Sequence, residues 1–184
     1  MFDDNDMKIA GSRPSLSVGQ AIENDSVRGE IDRAKSLGEF DKARQLGEQM
    51  AEMLLRDNGL ISFGITDDSE DISRRRELFA FTVTVGFEVS LISSVVAAAA
   101  YGAFFDRLKT LSKEIYFELS DAGAFSFYYL AYRRGGEVDR RMGQTYAMLC
   151  EKDGDPVFQE LGEALFCYFS AAVKEAAQEL GIGK

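Results

Sequence analysis

The chain has 184 residues, of which 28% are charged and 46% hydrophobic, and a net charge of −10 at pH 7. That length and balance suit one folded domain with a core that needs neither disulfides nor metals. The acidic charge argues against nucleic acid, whose phosphates attract basic surfaces. The complete absence of histidine removes Ser-His-Asp and Cys-His machinery and every metal site that needs imidazole.

Residues 1–16 open on "MFDDNDMKIAGSRPS", which is acidic and has no apolar run. They are expected to be a flexible tail and not a secretion signal, with one helical domain over 17–184. A first helix is predicted over Ser17–Ser36, where Ile22, Val27, Ile31 and Ala34 form a thin apolar stripe. Gly38 then marks a turn. A clear amphipathic helix follows, in which Phe40, Ala43, Gly47, Met50 and Leu54 recur every three or four residues. Asn58-Gly59 is a stop signal for it.

The stretch "LGEFDKARQLGEQMAEML" resembles the second half of a tetratricopeptide repeat, with Gly38, Phe40 and Ala43 in place. No second copy follows at the period of about 34 residues that such solenoids need. The resemblance therefore implies a helical hairpin and nothing larger.

"LISFGIT" is a short apolar run that suits an extended segment, and Asp67 with Glu70 makes a capping-box-like start to the next helix. Arg74, Arg75 and Arg76 stand among acids and read as the solvated first turns of that helix. The apolar stretch from Ala80 to Phe105, which carries the single charge of Glu88, admits three readings. It is long enough to span a bilayer, which needs about 20 apolar residues, but Glu88 and several Ser and Thr oppose that. Residues 79–91 alternate large and small side chains as a strand does, yet "LISFGIT" is the one visible partner, and a lone two-stranded ribbon is marginal. The favoured reading is two core helices with a break between Glu88 and Ser94, capped by Ser93 or Ser94. Thr82, Gly86, Ser90, Ser94, Ala98 and Gly102, small and four apart, predict an oblique close packing of helices.

"LSKEIYFELSD" is predicted to be helical, with Glu114 and Glu118 on a solvent-facing edge. Asp121 is placed to cap "AGAFSFYYLAYRR", which ends at Gly135-Gly136. A further helix is expected to stop at Asp153-Gly154, and the last to begin at Asp155 with Pro156 in its first position. In the last helix "LFCYF" is apolar all round, which predicts a central place in the core. Cys150 and Cys167 lie in apolar company and read as reduced, buried thiols, which suits the cytoplasm. The fold expected is all-α: a compact bundle of seven to eight obliquely packed helices with a central C-terminal helix.

No phosphate-binding glycine loop and no metal or cofactor motif appears, so an enzyme is the least favoured of the readings left open. Two features carry functional expectations. Tyr128, Tyr129 and Tyr132 with Arg133 and Arg134 have the composition of an interface and point to a protein partner, above all a second copy of the chain. Glu88 is the candidate for a buried acid facing a small-molecule pocket between helices. An interaction or adaptor module that self-associates is the leading reading, a ligand-binding bundle with a pocket near Glu88 the alternative, and a carboxylate-based enzyme the third.

Overall fold

The computed structural model describes residues 18–56, 69–120 and 123–184, with side chains described from residue 26 in the first helix and residue 72 in the third. These residues form eight helices and no strand. They are α1 (Val18–Ser36), α2 (Glu39–Arg56), α3 (Ser69–Ser90), α4 (Ser94–Leu111), α5 (Lys113–Ser120), α6 (Ala124–Arg133), α7 (Val138–Leu149) and α8 (Pro156–Glu179). No helix among the described residues is long and apolar enough to cross a membrane. The expected extended segment "LISFGIT", the signals at Asn58-Gly59 and Asp67, the cap at Asp121 and the tail 1–16 lie outside the described residues.

Helix α3 is the hub and touches α2, α4, α5, α6, α7 and α8. Leu78, Phe79, Ala80, Phe81, Thr82 and Val83 are all buried, so the core lies on every side of it. This explains its strand-like sequence. A helix enclosed all round has no polar face to display a period of 3.6, and its alternation of large and small side chains is free to take any phase.

The break expected in the long apolar stretch falls at residues 91–93. Ser93 takes an extended conformation and its Oγ accepts from the Val96 N–H at 3.4 Å, capping α4. The chain returns to this elbow after α8. Leu91 pairs with Gly183 in an isolated antiparallel bridge, the Lys184 N–H donates to the Ser90 carbonyl at 2.7 Å, and Leu91 and Ile182 are fully buried.

The ridge of small residues works only in its first half, where Thr82 is buried and a Cβ added at Gly86 would stand 2.9 Å from Val173 of α8; the second half does not pack. The ridge spans the elbow, Ala98 is exposed, and a Cβ added at Gly102 would meet nothing within 4 Å. The face of α4 that packs is Val96, Ala97, Ala100, Phe104 and Leu108. It closes on α2 at Gly47, where an added Cβ would lie 2.8 Å from the Phe104 nitrogen. A second close crossing joins α7 and α8 at Gly143, where an added Cβ would stand 3.0 Å from the Glu163 nitrogen.

The C-terminal end of α6 and the start of α8 follow the sequence, while the N-cap position of α6 is Gly123, with no side-chain cap. Gly135 and Gly136 take positive φ after α6, and Asp155 accepts from the Val157 N–H at 2.8 Å with Pro156 opening α8. Helix α7 ends earlier than its stop signal, at Leu149, because Glu151 itself adopts a positive φ of 55°. Helix α8 buries Gly162, Leu165, Phe166, Phe169, Val173 and Ala177 against α3 and α7. Its opposite side leaves Cys167 and Tyr168 exposed, so the "LFCYF" run is buried on one face only. Cys150 is half-buried, and neither cysteine forms a disulfide. The expectation that both are buried therefore fails for Cys167.

Candidate functional site

Three places gather chemistry: a polar network inside the bundle, a groove between α6 and α7, and a cavity at the α3–α4 elbow.

The network starts from the arginine triplet, which is not solvated as its sequence suggests. Arg75 and Glu77 are 2% and 5% exposed. The Arg74 Nη1 donates to both oxygens of Glu77, at 3.1 and 2.9 Å, and that hydrogen bond raises the pKa of the guanidinium against the cost of its burial. Glu118 is likewise not a free surface acid, because it accepts from the Ser73 hydroxyl and pairs with Arg76 at 3.6 Å. Glu114 is exposed as expected.

Tyr128 of α6 and Tyr146 of α7 are fully buried against the same network. Burial is the main reason both phenols are held well above their ordinary pKa, and Glu77 and Cys150 reinforce it at Tyr128. The Tyr146 hydroxyl lies beside Cys150 and Arg75. The Tyr128 hydroxyl has no hydrogen-bond partner among the described residues. The network thus ties α3 to α5, α6 and α7, and its phenols stay protonated.

The aromatic interface expected on α6 divides. Tyr128 is a core residue, which removes it from any surface, because α6 turns this side toward α3 and Phe81, whose ring centroid is 5.5 Å away. Tyr132 is half-buried and packs on the same Phe81 at 6.3 Å. Tyr129 is exposed, with the Arg133 guanidinium 5.5 Å from its ring centre. Arg134 lines the α6–α7 groove, a depression of about 270 Å³.

Sequence reasoning placed Phe127 with the aromatics of α6 but missed Leu130 and Met148. Phe127, Leu130 and Met148 line the groove and are 50%, 60% and 41% exposed. The three- and four-residue spacing of Phe127, Leu130, Ala131 and Arg134 was the available signal, masked by the tyrosines between them. Arg141 forms one wall and is fixed there, its Nε donating to the Ala131 carbonyl at 3.0 Å and its Nη2 to that of Gly135. Arg134 and Asp153 share the rim, and neither has an ion pair among the described residues.

Glu88 is exposed, not buried, because it lies in the last turn of α3 where the chain leaves the core. It nevertheless lines a cavity of about 740 Å³ at the elbow, together with Phe87, Ile92, Ala97, Tyr101 and Lys184. Cys167 has its thiol pKa raised by desolvation and by the carboxylates of Asp139 and Glu163, which leaves it a poor nucleophile. Among the described residues no three Cys, Asp or Glu stand together in a way that would hold a metal ion. Comparison with family models, with curated proteins and with solved structures finds no match.

Proposed function

We propose that this chain is a protein-interaction module that self-associates through the α6–α7 face. The observation that supports this most is the groove itself: three large apolar side chains stand open to solvent, and Arg134 and Asp153 on the rim have no ion pair among the described residues. Large apolar side chains at the centre of a groove with a charged rim have the make-up of a protein contact. The occupant favoured is a second copy, because a two-fold interface is self-complementary. In it, Arg134 of each copy meets Asp153 of the other around an apolar centre of Phe127, Leu130 and Met148. Tyr129 and Arg133 extend the same helix surface and would contribute at its margin. Two cysteines outside any disulfide suit a reducing compartment such as the cytoplasm.

The test is the mass of the full chain in solution by light scattering across a concentration series. A dimer is expected, and Leu130→Asp should reduce it to monomer. Arg134→Asp alone should weaken it, and the double variant Arg134→Asp, Asp153→Arg should restore it. A chain that remains monomeric at every concentration, or a dimer that ignores Leu130→Asp, would overturn the reading.

A further inference from the structure

The elbow cavity lies apart from the α6–α7 face, and its lining suggests a ligand of its own. Its wall is mostly apolar, built from Phe87, Ile92, Ala97, Ala98 and Tyr101 with the hydroxyls of Thr84, Ser93 and Ser94, and Tyr101, packed on Phe105, is still 45% exposed. Its mouth carries the Glu88 carboxylate, which has no ion pair or hydrogen bond among the described residues. The mouth also sits at the C-terminal end of α3, the negative end of a helix of 22 residues. The molecule already places an ammonium there. The Lys184 Nζ lies 3.4 Å from the Glu88 carbonyl oxygen, on the backbone and not on the carboxylate.

From this arrangement we infer that the elbow is a binding site for a small organic cation with an apolar body, of the alkylammonium or arylalkylammonium class. The ammonium sits against the Glu88 carboxylate, and the body lies on Phe87, Ile92 and Tyr101. A carboxylate beside an aromatic face recognises cations by charge and by the ring quadrupole together. The net charge of −10 raises the local concentration of any cation in the same direction. The volume of about 740 Å³ is within the range of small-molecule sites. Lys184 is then the resident competitor, a like charge tethered at the mouth, and it gives the site a signature. Removing the negative group weakens a cationic ligand and removing the positive group strengthens it, whereas an anionic ligand shows the reverse.

Three probes of one shape but different charge read this out by calorimetry or chemical-shift titration on the full chain: 2-phenylethylammonium, 2-phenylethanol and 3-phenylpropionate. The ammonium is expected to bind about fivefold tighter than the alcohol, the size of one exposed ion pair with a cation–π contact. Glu88→Gln should shrink that difference, leaving the cation–π part, and Lys184→Gln should widen it. Both side chains are at the surface, and thermal unfolding of each variant checks that the fold is kept. Equal affinity for ammonium and alcohol, strongest binding of the propionate with weakening by Lys184→Gln, or no saturable binding of any probe would each overturn the assignment.

Discussion

The carbonyl oxygen of Ala100 occupies the space that a Cβ on residue 47 would need, which makes Gly47 the contact point of α2 with α4. Backbone cannot swing aside as a flexible side chain can. Gly47→Ala is therefore expected to destabilise by about 3 kcal/mol in urea unfolding, despite the better helix propensity of alanine. Gly102 in α4 is the control, since an added Cβ there meets nothing within 4 Å. Gly102→Ala should stabilise by about 1 kcal/mol. Equal effects at the two sites would contradict the crossing described.

The buried pair of Arg74 and Glu77 predicts an asymmetry between two neighbouring substitutions. Glu77→Ala removes the partner of a half-buried guanidinium, so a loss of about 3 kcal/mol is expected. Tyr128→Phe removes a buried hydroxyl that has no hydrogen bond among the described residues. It should leave the protein as stable or raise its stability by about 1 kcal/mol. Chemical denaturation of the two variants side by side checks both signs.

Stability should fall steeply in alkali. The phenols of Tyr128 and Tyr146 have raised folded-state pKa values against an ordinary value of 10.0. Above that pH the unfolded chain releases their protons while the folded chain keeps them. Each tyrosine then lowers the unfolding free energy by about 1.4 kcal/mol per pH unit, until the pH reaches its folded pKa. Below pH 10 this contribution is fully present. Denaturant midpoints measured from pH 8 to 11 should bend downward near 10, and Tyr146→Phe should soften the bend.

Ile182 is fully buried at the elbow although it lies beyond the last helix. Ile182→Ala is expected to cost about 2–4 kcal/mol, as for a core isoleucine, and not the few tenths typical of a frayed end. Hydrogen exchange of the Lys184 amide, which bonds the Ser90 carbonyl, should slow in the wild type and quicken in the variant.

What could be read from the chain divides by range. Asp155-Pro156, Ser93 and Gly135-Gly136 act on their own neighbours, so their sequence signals and their structural roles coincide. The burial of Arg75 and Glu77 was not legible, because charged residues are exposed by default and only the arrival of α6 and α7 reverses that. The same holds on α6. Which of its aromatics point inward depends on the side that α3 takes, and no local pattern says that Tyr128 goes in while Phe127 stays out. Glu88 was correctly placed near the break, but the wall that Lys184 builds beside it comes from a distant part of the chain.

That return has a consequence for how the molecule is made. Glu88 and Lys184 are 96 positions apart, so α3 and α4 leave the ribosome long before the segment that seals their junction exists. During that interval the apolar elbow, with Leu91 uncovered, must be shielded by the α2–α4 crossing or by a chaperone. A nascent chain stalled after α7 therefore still carries this elbow unsealed.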